Sequence, residues 1–154
     1  TLSVLKDTVI PTVSITSSPT INNANRTAYT VSGNCSENSR NVAVTVGTAS
    51  GNPVCNTGAW TLTLDVTSVA DSAGVTVTAN HSDLAGNAAT QASASVLKDT
   101  SNPTVAITAP SAITNANRTN YTVAGTCSEN GRAVTVSVGA VAASPNCSAG
   151  AWST

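Results

Sequence analysis

The sequence contains no phenylalanine and no methionine, and only 3% of its 154 residues are aromatic. Charged residues make up 8% of the chain, well below the quarter that is usual in globular domains. The formal net charge is −1 at pH 7, so the chain lacks the basic surface that nucleic-acid binding requires. A membrane-spanning helix needs a run of about 18 apolar residues, and the chain contains no such run. Neither nucleic acid nor a membrane span is therefore expected within this sequence.

One segment of the chain occurs twice. Residues 24–38 return almost letter for letter at residues 116–130, and the same offset of 92 separates Trp60 from Trp152. A repeat of this length is a domain in its own right, because solenoid and propeller repeats are only about 20–50 residues long. The chain is therefore predicted to be a tandem array of small domains.

The phase of the repeat predicts three parts. Residues 1–7 match residues 93–99 and are expected to form the last strand of a preceding repeat. Residues 8–99 make one complete repeat, and residues 100–154 make the first, incomplete part of the next. The strands that would complete this part are expected either from a longer parent chain or from another chain.

Short stretches in which apolar and polar residues alternate predict β-strands with one buried and one solvated face. Turn-forming residues separate these stretches at short intervals, as in all-β sandwiches. We predict an all-β fold of tandem immunoglobulin-like antiparallel β-sandwiches with about six or seven strands each. The predicted strands of the complete repeat span residues 9–16, 27–33, 42–46, 59–66, 75–79 and 89–97.

One tryptophan of each repeat, Trp60 or Trp152, lies at an inward position of its predicted strand. A single large ring can be a ligand platform, but its place in an alternating strand favours a core anchor. The inward positions of the complete repeat are Val13, Ile15, Tyr29, Val31, Val42, Val44, Val46, Trp60, Leu62, Leu64, Val66, Val75 and Val77.

The four cysteines follow the repeat. Because one pair recurs at identical spacing, we predict the disulfides Cys35–Cys55 and Cys127–Cys147. Free thiols and a metal–thiolate site are the alternatives, although His81 is the only histidine that could join such a site. Disulfides would place the protein in an oxidising compartment outside the cytoplasm.

Five of the seven acidic residues lie in loops or at junctions between the predicted repeats. The topology of an immunoglobulin-type sandwich brings the loops after its second strand and before its last strand to one end, and the predicted site residues there are Asp7, Glu37 and Asp83. At the next junction, the residues equivalent to Asp7 and Glu37 at the offset of 92 are Asp99 and Glu129. Carboxylates with loop carbonyls can supply the oxygen ligands of calcium. The alternative is that Glu37 pairs with Arg40, and Glu129 with Arg132, while Asp83 caps a turn.

Four short motifs are notable: Lys6-Asp7-Thr8 with Pro11, Gly33-x-Cys35-x-Glu37, Gly58-Ala59-Trp60, and Asp83-Leu84-Ala85-Gly86-Asn87-Ala88. Together these motifs resemble the bacterial immunoglobulin-like repeats of very large secreted surface adhesins. The resemblance implies chains of β-sandwiches that hold a terminal binding domain away from the cell, with calcium stiffening the junctions in several members. On this sequence those ligands would be Asp7, Glu37, Asp83, Asp99 and Glu129, whereas the cysteine pairs are a departure that many calcium-dependent repeats do not share.

The predicted function is structural: a spacer or stalk module of a bacterial cell-surface adhesin or extracellular fibre. Its expected partners are neighbouring repeats of the same chain and other copies in a fibre. Repeated binding of a carbohydrate or protein ligand and a polymer whose subunits exchange strands are the alternatives. We predict no enzyme, because His81, Ser82 and Asp83 occur without the nucleophile elbow or oxyanion donors of acyl transfer.

Overall fold

The computed structural model describes residues 3–4 and 6–154. The described residues form strands, turns and loops but no helix, which confirms the all-β class. The chain divides into two compact units, Thr1–Ser101 (unit 1) and Asn102–Thr154 (unit 2). The strand predicted at residues 1–7 falls partly on residues that the structure does not describe.

Unit 1 is a two-sheet antiparallel β-sandwich of the immunoglobulin type. One sheet has the strand order β1–β2–β5, and the other has the order β4–β3–β6–β7. The strands are β1 (Val13–Ser17), β2 (Tyr29–Cys35), β3 (Val42–Val46), β4 (Ala49–Gly51), β5 (Ala59–Leu64), β6 (Ser72–His81) and β7 (Ala92–Lys98).

The core of unit 1 forms because both sheets turn their apolar positions inward at a period of two residues. In β2 every second side chain from Tyr29 to Cys35 is buried, and Val42, Val44 and Val46 of β3 are buried in the same way. The core also takes in residues from the connecting loops. Its buried members are Ile21, Tyr29, Val31, Cys35, Val42, Val44, Val46, Cys55, Trp60, Val66, Val69, Val75, Val77, Ala79 and Val96.

One strand of unit 1 lies in a segment that the sequence predicts to be a connection. The short strand β4 pairs with β3, with Ala49 opposite Val46. Gly47 allows the tight turn between them, because its φ of 56° lies in the left-handed region that favours glycine. Gly51 leaves room for Leu62, since an added Cβ would lie 2.8 Å from a Leu62 methyl carbon. The connection is therefore a hairpin that adds an edge strand to the second sheet.

Unit 2 contains five strands in two sheets. One sheet has the order β12–β9–β8, and β10 pairs with β11 in the other. Its buried core consists of Val123, Val136 and Trp152. The strands are β8 (Val105–Ile107), β9 (Ala124–Cys127), β10 (Val136–Val138), β11 (Val141–Ala143) and β12 (Ala151–Ser153).

Candidate functional site

Both units contain the same cross-linked corner, which we call the disulfide corner. The cysteines are bonded as Cys35–Cys55 and Cys127–Cys147, each with a sequence separation of 20, in the pairing that the repeat spacing predicts. No described cysteine is free. The disulfide corner consists of Cys35, Asn38, Cys55, Gly58 and Trp60 in unit 1 and of Cys127, Asn130, Cys147, Gly150 and Trp152 in unit 2.

The tryptophan of each disulfide corner packs on a glycine of the neighbouring strand. Trp60 is 2% exposed, and its ring NH donates hydrogen bonds to the carbonyls of Ser14 and Asn34, both at 3.2 Å. A Cβ on Gly33 would lie 1.8 Å from the Ser14 carbonyl oxygen and 2.7 Å from the ring. Only glycine therefore fits beneath this ring.

Polar side chains gather at one end of unit 1, which we call the polar end (Asp7, Glu37, Arg40, His81, Asp83 and Asn87). The Asp83 carboxylate accepts hydrogen bonds from the Asn87 backbone NH at 2.8 Å and from its side-chain amide at 2.6 Å. The hydrogen bond from the Asn87 side chain is the main reason that the pKa of Asp83 lies below its ordinary value. The same amide donates to the Asp7 carbonyl at 3.2 Å. Asn87 thus connects the chain that enters unit 1 to the buried carboxylate.

Arg40 and His81 complete the polar end. Arg40 donates to the carbonyls of Ser82 at 3.4 Å and of Asp83 at 3.1 Å. The buried His81 ring accepts from the Glu37 NH through Nε2 at 3.2 Å, and its Nδ1 lies 3.1 Å from the Asn41 carbonyl. Because Nε2 accepts, Nδ1 must carry the proton.

The predicted pairing of Glu37 with Arg40 is wrong, because the Arg40 guanidinium binds loop carbonyls and Glu37 instead accepts from the Ser36 hydroxyl at 3.1 Å. Within the described part of the chain, the ion pair that forms is Lys98–Asp71. A pair between Glu129 and Arg132 is not formed there either.

The donor set of the polar end can be compared with what calcium needs. Among residues 3–4 and 6–154, no three His, Cys, Asp or Glu side chains come together as a metal-binding group. A calcium ion at Asp83 would have to share its oxygens with the Asn87 donors and lie beside the Arg40 guanidinium. These contacts fit the metal poorly. Calcium at Asp7, Glu37 and Asp83 stays a prediction, which a melting temperature unmoved by a chelator would contradict.

At the opposite end of β7, a second polar cluster holds the chain where it leaves unit 1. The Lys98 side chain is 3% exposed, and its ammonium donates to the Val69 carbonyl and to the Asp71 carboxylate, the latter at 3.1 Å. Asp71 also accepts from the Thr100 NH at 3.0 Å and from the Thr100 hydroxyl. We call these four residues the exit clasp.

The exit clasp is not among the predicted sites, which include neither Asp71 nor Lys98. The hydrogen bond from the Thr100 NH, followed by that from Lys98, holds the pKa of Asp71 below its ordinary value. A signal was present, because Lys98-Asp99-Thr100 repeats Lys6-Asp7-Thr8 in a chain with few charges.

The predicted site residues at the second junction lie in different units. Asp99 belongs to unit 1, where its carboxylate accepts from the Ser101 NH at 3.0 Å. Glu129 belongs to unit 2, where its carbonyl accepts from the Arg132 NH at 3.3 Å. A shared calcium site for these two carboxylates stays a prediction.

Comparisons with known proteins give fold-level likeness alone. No protein-family model and no curated protein matches the chain. One solved structure, from work on host cell surface retention of a 1.5-MDa bacterial ice-binding adhesin, is 20% identical over 95% of this chain and 54% of that chain, with a TM-score of 0.49. A tetra-tandem repeat from the extending region of a large adhesion protein is 21% identical over 94% of this chain and 40% of that one, with a TM-score of 0.46.

The chain thus spans about half or less of the length of these solved structures. At such identities and TM-scores the likeness assigns neither a function nor a ligand to this chain. The fold defines the class of the protein. The chain is an all-β protein with a repeated β-sandwich sequence, and each repeat contains one internal disulfide. The described residues also contain no helix that is both long and apolar enough to cross a membrane.

Proposed function

We propose that this chain is a spacer module of a bacterial extracellular stalk or fibre, of the kind that surface adhesins use to extend a binding domain. Repetition supports the proposal, because each further repeat of the sandwich adds length without adding a new kind of site. The disulfides support a location outside the cytoplasm, on the bacterial surface, where such bonds persist.

The observation that carries the proposal is the internal use of the polar groups of unit 1. Its buried polar or charged residues are His81, Asp83 and Lys98, and each is hydrogen-bonded within the unit. No buried side-chain nitrogen or oxygen of the described residues lacks a partner. Groups that are saturated in this way fix loops and ends, whereas a binding or catalytic site needs polar atoms that point to a ligand.

The same observation argues against an enzyme. His81, Ser82 and Asp83 are neighbours in sequence, but both ring nitrogens of His81 are engaged by backbone groups. The Asp83 carboxylate is occupied by Asn87 rather than by the histidine. These residues therefore lack the base–orienter contact of a catalytic triad.

The exit clasp gives the proposal a mechanism. A spacer transmits length when the chain leaves each domain in a fixed direction. An ion pair with one buried partner, Lys98, and added hydrogen bonds supplies such a fixed point. Lys98 holds Asp71, and Asp71 holds the first backbone NH after Asp99. We infer that the clasp fixes the first residues of the connection to the next repeat.

The test is the length of concatenated repeats in solution. Proteins with one, two and four copies of residues 8–99 are compared by small-angle X-ray scattering. The maximum dimension is expected to rise by roughly 35–45 Å per repeat, because strands of about 6–8 residues rise 3.3 Å per residue and loops add the rest.

A matched variant isolates the exit clasp. In the four-copy protein Thr8 of each following copy takes the place of Thr100 after Asp99, so Thr8→Val in the second to fourth copies keeps the side-chain shape but removes the hydroxyl donor to Asp71. Thr8→Val in the first copy alone is the control, because no preceding copy places an Asp71 beside it. We expect the change in the second to fourth copies to broaden the distribution of maximum dimensions of the four-repeat protein. Compact particles whose size does not grow with repeat number would overturn the spacer function.

A further inference from the structure

Unit 2 exposes an apolar groove. It lies where the sheet of β10 and β11 meets the β12–β9–β8 sheet, and valines supply much of its surface. The larger apolar residues that line it are Ile113, Tyr121, Val123, Val136, Val138 and Val141.

Two of the groove residues, Ile113 and Val138, have covered counterparts in unit 1 at the offset of 92. Ile113 is 56% exposed, whereas Ile21 is 0% exposed. Val138 is 36% exposed, whereas Val46 is 0% exposed. The same side chains in the same sandwich positions are thus buried in one unit and open in the other.

Strands β6 and β7 provide the cover in unit 1. Their Val75, Val77, Ala79 and Val96 belong to the same buried cluster as Ile21 and Val46. Unit 2 spans residues 102–154, all of which the structure describes, and contains no strand in the position of either.

The strand pairing of unit 2 also leaves the groove uncovered on one side. In unit 1, β3 pairs with β4 on one edge and with β6 on the other. In unit 2, β10 pairs with β11, and no described strand of residues 102–154 pairs with its other edge. A free strand edge beside an apolar face is the template for adding a β-strand.

We propose that this groove is an acceptor site for a β-hairpin of the repeat's own sequence, with the pattern of residues 72–98. The pairing of β6 with β3 sets the register, because Val77 lies opposite Val46 and Ala79 opposite Val44. In the acceptor site the hairpin therefore sets Val77 opposite Val138 and Ala79 opposite Val136.

Ile113 supplies a further contact with the second strand of the hairpin. Its counterpart Ile21 forms a parallel bridge with Lys98, in which the Ile21 NH donates to Leu97 and its carbonyl accepts from Asp99. The hairpin thus covers both ends of the groove, Val138 through its first strand and Ile113 through its last. This inference is independent of the spacer function, since an acceptor site is a property of unit 2 alone.

The experiment titrates the full chain with a fluorescent synthetic peptide of residues 70–99 and follows the fluorescence anisotropy. Hydrogen exchange of Val136 and Val138 reports where the peptide binds. We expect one peptide per chain, slower exchange at these amides, and no binding of a peptide whose Val75, Val77 and Val96 are replaced by serine.

Variants of the full chain distinguish the groove from other surfaces. Val138→Asp and Ile113→Asp should each weaken peptide binding at least about tenfold, because a carboxylate would then face an apolar strand. Both residues are exposed, so neither change removes a buried contact of unit 2. Val54→Asp is the control, since Val54 is 53% exposed in unit 1 and the repeat itself carries asparagine at the equivalent Asn146.

Three results would overturn the proposal. The first is no peptide binding at millimolar concentration, and the second is equal binding by the serine-substituted peptide or by Val138→Asp. The third is a dimer of the full chain that protects Val138 from exchange and that the peptide does not dissociate, because the groove would then take a second copy rather than a hairpin.

Discussion

The disulfide corner is alike in the two units, whereas the burial of several inward-facing residues differs. Asn38 accepts from the Gly58 NH at 2.9 Å, and Asn130 accepts from the Gly150 NH at 2.9 Å. Trp60 and Trp152 are both buried, and each ring NH donates to a carbonyl of the neighbouring β2 or β9 strand. Away from this corner, Ile21 is buried and its counterpart Ile113 is exposed.

This difference shows which features depend on residues that are close in sequence and which depend on strands that are far away in sequence. The disulfide corner depends on a segment closed by one disulfide and on the adjoining strand, so it forms in both units. Burial of the inward valines also depends on β6 and β7, which lie far along the chain in unit 1. An inward-facing pattern is thus necessary for a core, and a second covering sheet is what buries it.

The largest expected effect is that of removing the tryptophans. Trp60→Ala and Trp152→Ala should each cost about 3–5 kcal/mol, because both rings are buried. Unit 1 has a large buried cluster that includes residues of both sheets, so we expect it to stay folded but weakened. The buried cluster of unit 2 has only Val123 and Val136 in addition to Trp152, so we expect the amide protection of this unit to disappear. Hydrogen exchange followed by mass spectrometry measures both units in one chain, and equal loss of protection in the two would break the comparison.

Removing the disulfides should affect the two units equally. Each bond closes a loop of the same length, and the loop-closure estimate gives about 3 kcal/mol for either. This estimate concerns the unfolded chain, so the missing cover of unit 2 does not change it. The paired changes Cys35→Ala with Cys55→Ala, and Cys127→Ala with Cys147→Ala, are compared by urea denaturation with exchange detection. A cost confined to one unit would show that native packing, rather than chain entropy, sets the contribution of the bond.

The alternating pattern explains how much could be predicted from the sequence. Val42 to Val46 form β3 with the predicted bounds, because three valines at a period of two make both the strand and its inner face evident. Ala49–Gly51 were missed as a strand, because they lack β-branched residues and depend on pairing with β3. The partners of Arg40 were also missed, since the carbonyls of Ser82 and Asp83 are more than forty residues away in sequence.

Acid should weaken unit 1 through carboxylates that residues 102–154 do not repeat, which are Asp65, Asp71 and Asp83. Folding lowers the pKa of Asp71 and of Asp83 below the ordinary 3.8, so the stability that they add is present above that value. It is lost as the pH falls through the lowered pKa of the folded state. The melting temperature of unit 1 is therefore expected to be level above about pH 5 and to fall below pH 4.

Asn variants test this assignment. Asp71→Asn and Asp83→Asn should each flatten the acid limb of the melting curve for unit 1, whereas Glu129→Gln, which removes a carboxylate of unit 2, serves as the control. An acid limb that neither Asp71→Asn nor Asp83→Asn changes would assign the pH dependence to other groups.

The smallest expected effect is that of giving unit 1 the glycine that unit 2 has at the equivalent turn position. Ser39 has a φ of 66°, in the left-handed region, and its counterpart Gly131 has a φ of 80°. A side chain costs about 1–2 kcal/mol in this conformation, while glycine loses about 0.5–1 kcal/mol more backbone freedom on folding. Ser39→Gly should therefore stabilise unit 1 by about 0.5–1 kcal/mol, and Gly131→Ser should destabilise unit 2 by a similar amount.

Ser50→Gly, in the extended strand β4, is the matched control and should destabilise unit 1, because there glycine has only the entropic disadvantage. If Ser39→Gly also destabilised unit 1, the turn would depend on the serine side chain rather than on its backbone angle, and the two turns would not be equivalent.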